Sequence, residues 1–267
     1  MAEFISESVS FIGAGNIATY LAMECYRAGH QINMVWSRTP TNAKELAVKV
    51  NARWCKEINE INCDNCILII ALTDQATIDI AKNNDFGRSL VLHTAGSIPM
   101  DVFSGHSEDY GVLYPLQSIS GKEMPVNSDV PLCIESNTES GLERLRRLAE
   151  SISPLVYEIS SENRLLLHLA AVFACNFPNY LYAIAGEIAD KAGVPFEIYK
   201  PLIRETTENA LSRGPLKAQT GPAVRNDRII IKKHLDLLSF SPEYRNIYSS
   251  ITRSIMDKHW LAGKKII

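Results

Sequence analysis

A basic excess is missing from this chain. Its 267 residues carry 27 Lys and Arg against 30 Asp and Glu, a net charge of −3. No basic stripe is present, so nucleic acid is not an expected partner. Uninterrupted apolar runs are short, none approaching the ~18 residues that span a bilayer, and no signal peptide precedes the first apolar segment. A soluble, cytoplasmic protein without a membrane partner is therefore expected. Cysteine is sparse, six residues scattered at 25, 55, 63, 66, 133 and 175. Cys25 and Cys175 fall in apolar helical patterns and read as core. Cys63-Asp64-Asn65-Cys66 has redox or zinc spacing, but no second Cys/His pair accompanies it and the segment runs into a strand, so no metal is expected.

What is present begins at the N-terminus. The run Val9-Ser10-Phe11-Ile12 ends in Gly13-x-Gly15-x-x-Ala18, and an apolar helical pattern follows through Leu21, Ala22, Cys25 and Tyr26. That is strand, tight turn, helix. Gly13 lets the chain turn sharply. Gly15 lets a pyrophosphate approach bare backbone at the helix start, where the free N–H groups and the helix dipole favour an anion. Ala18 stands for the third glycine and is small enough for close helix–strand packing. A dinucleotide site is expected on Gly13, Gly15, Asn16 and Ile17.

The second strand, Gln31 to Trp36, ends in Ser37-Arg38-Thr39-Pro40. An NAD site would place an acid here to bind the ribose hydroxyls. The chain lacks one and offers two hydroxyls flanking a guanidinium. Arg38 can fork a phosphate and stack on adenine, which suits the 2′-phosphate of NADP. Lys44, one turn into the next helix, adds a further positive charge or plain surface.

Apolar runs at Cys66–Leu72 and Ser89–His93 read as strands buried on both faces, with further strands at Tyr110–Leu116, Val130–Ile134 and Leu155–Glu158. Helical patterns at Thr41–Val50, Asp74–Lys82 and Thr138–Ser151 alternate with them. This order implies an α/β fold, a doubly wound Rossmann-type sheet. After the cap-like Ser160-Ser161-Glu162-Asn163 no strand pattern remains. A dinucleotide-binding domain over residues 1–158 and an all-α domain over 159–267 are expected, without internal repeats or a low-complexity linker.

Substrate and nicotinamide belong outside the carboxyl ends of the strands. Leu72-Thr73-Asp74 ends one strand, Asp74 doubling as a helix cap. His93 ends the next; it reads either as a cofactor or substrate ligand or as a core histidine. Tyr114 offers a phenol as proton donor or a buried structural tyrosine. On the long C-terminal helix, His168 and Asn176 stand eight residues apart, so they share one face, with Asn179 nearby. Their apolar neighbours suggest that they are buried and need partners. Pro178 should kink this helix. Thr220-Gly221-Pro222-Ala223-Val224-Arg225-Asn226-Asp227 forms a loop between helices in which Arg225 can clamp a carboxylate and Asp227 can cap the next helix. Asn209 is a candidate neighbour.

Together these residues resemble the Rossmann-like NADP oxidoreductases similar to deazaflavin-dependent NADP reductases, which carry an uncharacterised helical C-terminal domain. More distant likenesses are pyrroline-5-carboxylate reductase, ketopantoate reductase and the β-hydroxyacid dehydrogenases. The resemblance spans essentially the whole chain. Its longest signatures are His168-x-Ala170-Ala171-Val172-Phe173-Ala174-x-Asn176 and Thr220-Gly221-Pro222-x-x-Arg225-x-Asp227. It departs at Tyr114, where the family usually has His, and at Asn226, where it usually has Gly. It implies the fold and NADP, and supplies no substrate. The β-hydroxyacid dehydrogenases use a lysine on the corresponding helix. Here the only lysine between Ser161 and Gly193 is Lys191, near the far end, which argues against their chemistry.

The leading expectation is an NADPH-dependent reductase of a small carbonyl or imine compound, acting in the cleft between the domains. His168 would be proton donor or polariser, Asn176 a hydrogen-bonding substrate group and Arg225 a carboxylate clamp. The alternatives are a non-catalytic NADP-binding sensor or partner protein and an S-adenosylmethionine methyltransferase, which again wants an acid after the second strand. A homodimer through the apolar helices after Ser160 is also expected.

Overall fold

Strand alternation decides the architecture. In β1 (Ser8–Ile12), Val9 and Phe11 face one side of a sheet and Ile12 the other. Likewise Ile67 and Ile69 oppose Leu68 and Ile70 in β4 (Ile67–Ile70), and Leu90 and Leu92 oppose Val91 in β5 (Leu90–His93). With both faces apolar, both must be covered. Helices α1 (Asn16–Arg27), α2 (Pro40–Lys49) and α4 (Glu139–Ile152) cover one face, and α3 (Asp74–Asn83) the other.

The computed structural model describes residues 5–61, 65–119 and 129–261. With β2 (Gln31–Trp36), β3 (Arg53–Cys55), β6 (Asp109–Pro115), β7 (Leu132–Ser136) and β8 (Val156–Glu158), the sheet has eight strands in the order β3-β2-β1-β4-β5-β6-β7-β8. Every neighbouring pair is parallel except β6 and β7. The winding reverses between β1 and β4, the switch point where such sheets bind ligands. The fold is the doubly wound Rossmann-type sheet followed by helices.

Two compact units divide the chain, Met1–Asn176 and Phe177–Ile267. The last strand ends at Glu158, yet α5 (Ser161–Ala171) belongs to the first unit. Its Arg164 is buried against the sheet, which keeps this helix with the strands. The second unit consists of α6 (Phe177–Lys191), α7 (Lys200–Arg213), α8 (Pro215–Ala218), α9 (Arg228–Leu237) and α10 (Pro242–Met256) joined by short turns. It buries few apolar side chains of its own, among them Ile184, Ala189, Ala223 and Leu238.

Two expectations change here. The helix Ser161–Lys191 runs on through Pro178, with a π turn at Val172–Asn176 just before it. This stretch is long and apolar enough to cross a membrane by length and composition, which a search for uninterrupted apolar runs overlooks because His168 and Asn176 punctuate it. Cys25 is core as expected, whereas Cys175, in the π turn, is exposed. Cys63 and Asp64 of the Cys63–Cys66 pair lie outside the described residues.

Candidate active site

Gly13 makes the sharp turn the sequence assigns to it, and Gly15 leaves the start of α1 open. Gly13 has φ +122°, and a Cβ on it would lie 2.3 Å from the Ala71 carbonyl oxygen, so only glycine allows β1 to end so close to β4. A Cβ on Gly15 would meet nothing within 4 Å. Gly15 is the exposed N-cap of α1, and no side chain caps that helix start. Bare backbone and free amides thus face open space, the provision an anionic phosphate needs. Gly13 is buried beneath this turn and shapes it without lining the cleft.

A cavity of about 720 Å³ opens here. Gly15, Asn16, Ile17, Ser37, Arg38, Thr39, Leu72, Thr73 and Asp74 all line it, so nine residues quoted from separate segments converge. Asn16 is tied down by Nδ2 donating to the Ile119 carbonyl at 3.1 Å. Ser37 Oγ accepts the Thr39 amide at 3.3 Å, which shapes the turn around Arg38. The Arg38 side chain is exposed, and among the described residues it forms no ion pair, so it is available to a phosphate. Lys44 is engaged elsewhere, its Nζ 4.4 Å from the Trp54 ring centroid. Asn42 also lines the cleft and is not among the residues singled out in the sequence. The position of Asn42, four residues after Arg38 in the first turn of α2, is the signal that was there to read.

Asp74 and His93 need correction. The N-cap of α3 is Thr73, in extended conformation, and Asp74 is the first helical residue. Its carboxylate accepts the Ser97 hydroxyl, which draws it from the capping position towards the β5 loop. His93 is fully buried and does not line the cleft. Its Nδ1 accepts the Ala95 amide at 3.2 Å, and burial, aided by the positive Arg164, pushes its pKa down to about 3. It is a neutral core histidine that shapes the Thr94-Ala95-Gly96 turn, and those three residues line the cleft in its place.

At the far end of the cavity stands His168, half-buried, its Nδ1 3.2 Å from the Tyr114 hydroxyl. The rings meet edge to face, 6.2 Å between centroids. A second cavity, about 480 Å³, begins at the same two residues. It runs past Leu116 and Gln117 of the β6 end and along Ala170, Ala171 and Ala174 of the helix to Asn176. The apolar neighbours of Asn176 imply burial, yet Asn176 is exposed, as are Phe173, Ala174, Cys175 and Phe177 around it. The structure thus brings His168 and Asn176 to one cavity and places the unremarked pairing of Tyr114 with His168 at the junction of the two.

Arg225 and Asn209 belong to the second unit, Arg225 exposed and Asn209 half-buried on α7. In the loop, Gly221 has φ +105° and Asn226 φ +53°. Asn226 stands in the left-handed region, which asparagine tolerates better than most side chains, so the replacement of the family's usual glycine keeps the turn. Asp227 Oδ1 accepts the Ile230 amide at 3.1 Å and caps α9, as read from the sequence.

Residues 8–95 match the family described as NADP oxidoreductase, coenzyme F420-dependent, and residues 130–255 match the domain of unknown function DUF2520. No curated protein matches the sequence. A candidate NADP oxidoreductase from Bacteroides fragilis is 40% identical, with 94% of this chain and 98% of that one covered and a TM-score of 0.87. Pyrroline-5-carboxylate reductase from Streptococcus pyogenes, 16% identical, aligns over 95% of this chain and 98% of its own with a TM-score of 0.58. An imine reductase from Myxococcus stipitatus, in complex with NADP+, is 17% identical over 97% and 95%, with a TM-score of 0.62. At these last identities the likeness is one of fold.

Proposed function

The chain belongs to the family of NADP oxidoreductases that join the F420-dependent type of N-terminal domain to DUF2520, and on that premise we propose that it is an NADPH-dependent reductase of a small carbonyl or imine compound. Residues 1–158 form the dinucleotide-binding part, and the helical remainder, 159–267, contributes substrate contacts and the dimer surface. The amides at Gly15, Asn16 and Ile17 hold the pyrophosphate, and Ser37, Arg38 and Thr39 hold the 2′-phosphate. Leu72, Thr73 and Asp74 border the nicotinamide end. Bound NADPH supplies the hydride. His168 donates a hydrogen bond or a proton to the acceptor's oxygen or nitrogen, and Asn176 holds the substrate through its amide. Arg225 is assigned an acidic group of the substrate on the chemistry of its guanidinium.

The observation that carries this reading is the pair of cavities sharing Tyr114 and His168. One is lined by the open, uncapped helix start after β1 and the other by a largely apolar wall ending in an amide. An acceptor in the second reaches the end of the first at a histidine. Fold likeness to proteins named as imine and pyrroline-5-carboxylate reductases supports a carbonyl or imine acceptor.

The test is calorimetric titration of the wild type and His168→Ala with NADPH, followed by NADPH oxidation against cyclic imines, ketones, aldehydes and keto acids. The variant should bind NADPH as the wild type does, with turnover roughly two to four orders of magnitude lower. Wild-type protein that binds no nicotinamide nucleotide would sink the reading. Unchanged turnover would remove His168 from it.

A further inference from the structure

Resting on the reading of His168 as the group that meets the acceptor, we propose that Tyr114 is its positioning residue. The Tyr114 phenol donates to Nδ1, holds the neutral imidazole as the Nε2–H tautomer, and leaves Nε2–H as the donor presented to the substrate.

Three segments converge to make this contact. Tyr114 comes from the end of β6, where its backbone pairs with Cys133 of β7, and its ring lies in a small cluster with Val112, Leu116 and Leu167. His168 comes from α5. Gly96 comes from the turn after β5, and it lies beneath both rings. A Cβ on Gly96 would stand 2.8 Å from His168 Nδ1, 2.9 Å from its Cγ and 3.0 Å from Tyr114 Cζ. Such distances admit no methyl group without displacing the pair. Gly96 has no positive φ to account for, so its need at this position is space for the two rings.

The direction of the hydrogen bond follows from proton inventory. Tyr114 is largely buried, and burial raises its pKa above the usual phenol value, so the hydroxyl keeps its proton across the neutral range. Among the described residues that hydroxyl has no hydrogen-bond partner other than His168 Nδ1. If Nδ1 carried the hydrogen, the phenol oxygen would accept it and the phenol's own proton would lack a protein acceptor in a partly buried place. With the phenol donating, both atoms are satisfied and Nε2–H is the ring's free donor. The tautomer of a histidine is set by the bond its other nitrogen makes.

The test is two-bond 1H–15N correlation NMR of the full chain with 15N-labelled histidine, at a pH where the ring is neutral. The six histidines are told apart by the resonances missing in His168→Ala. In the wild type, His168 should show a protonated Nε2 and an Nδ1 shifted as a hydrogen-bonded acceptor. In Tyr114→Phe, that Nδ1 resonance should move to the unbonded position, kcat should fall about tenfold, the share carried by one hydrogen bond, and NADPH affinity should be unchanged. Gly96→Ala should move the same resonance by displacing the rings. A wild-type Nδ1 that carries the proton, or an Nδ1 resonance identical in wild type and Tyr114→Phe, overturns the proposal. The reading of His168 as the acceptor-facing group fails separately, if His168→Ala turns over normally, and the NMR result then still decides the role of Tyr114.

Discussion

Arg164 and Glu135 form an ion pair, Nη1 to Oε2 at 2.6 Å, in which the arginine side chain is 1% exposed. The pair determines where His168 stands. His168 follows Arg164 by four residues, so the two share a face of α5, one turn apart. The guanidinium also donates to the Ile98 carbonyl at 2.6 Å and to Ser161 Oγ at 3.1 Å. Ser161 in turn donates to Glu135 through both its amide and its hydroxyl, at 2.8 and 2.7 Å. The first turn of α5 is thereby fastened to β7 and to the segment after β5, and the second turn delivers His168 to Tyr114.

Removing the arginine should therefore cost more than one hydrogen bond. Arg164→Met leaves the Glu135 carboxylate partly buried without its counter-ion, a change that costs about 3–5 kcal/mol. Glu135→Gln keeps an oxygen for Arg164 and Ser161 but leaves the buried guanidinium without its counter-ion, so it should cost a comparable amount. Urea unfolding of both variants checks this. A loss below about 1 kcal/mol for Arg164→Met would mean that the pair is dispensable to the sheet unit.

Arg38 offers a sharper test of the cofactor side. It should contribute a charge-assisted, two-pronged contact to the 2′-phosphate. Arg38→Ala is expected to weaken NADPH binding by roughly ten- to a hundredfold, a loss of about 1.5–3 kcal/mol, and to leave NADH binding as it was. Calorimetry with both nucleotides measures the ratio. Equal weakening of both would place Arg38 against the adenine or in the turn alone.

These two arginines also show what is legible in the sequence. Arg38 stands next to its glycine turn in the fold and sits where the second strand ends, a position with known meaning, so local order reveals it. The strands are legible because alternation and continuous apolar runs are local patterns. Arg164 and Tyr114 are not, since their partners Glu135 and His168 lie 29 and 54 residues away. His93 was ambiguous because a strand-end histidine looks the same whether its ring faces solvent or the core. The exposure of Asn176 was not legible because apolar neighbours at helical spacing look the same whether another element covers them or not. Helical apolar residues after Ser160 read as a face in need of cover, and many are at the surface, because a sequence pattern shows that a face must be covered and not by what.

The buried histidines should make the protein acid-labile above the range of its carboxylates. His93 has a folded pKa of about 3 against an ordinary value of 6.5, lowered first by burial and then by Arg164. His30 is lowered in the same direction by burial. The unfolded chain takes up these protons below about pH 6.5 while the folded chain does not, so stability falls with pH from there until the folded His93 titrates near its own pKa. For His93 alone the loss is about 2 kcal/mol by about pH 5. His93→Gln keeps an acceptor for the Ala95 amide and removes the titration. Urea midpoints at neutral pH and at about pH 5 should converge in the variant relative to the wild type; parallel pH dependence would show that His93 protonates without unfolding.

The surface of the long helix leads to the last expectation. Leu165, Leu166, Leu169 and Phe173 are 51, 61, 52 and 63% exposed, and Phe177 and Tyr180 continue at 47% each. A contiguous apolar surface of this kind marks an interaction site, and the helical unit that follows buries little of its own apolar surface. A second copy of the chain is the simplest cover, since it brings an identical apolar face and twofold pairing of like surfaces closes on itself. The wild type should therefore sediment as a dimer of 29.7 kDa chains at micromolar concentration. Leu169→Glu combined with Phe173→Glu places two carboxylates in that surface, where burial would leave them unpaired. It should yield monomers whose sheet unit still binds NADPH, because the Gly13–Ile17 turn and Arg38, the residues proposed to hold its phosphates, lie in segments distant from α5 in the chain. Turnover need not survive, as the same helix carries His168. A monomeric wild type would refute the dimer outright. A doubly substituted protein that remains dimeric would put the self-contact on another face.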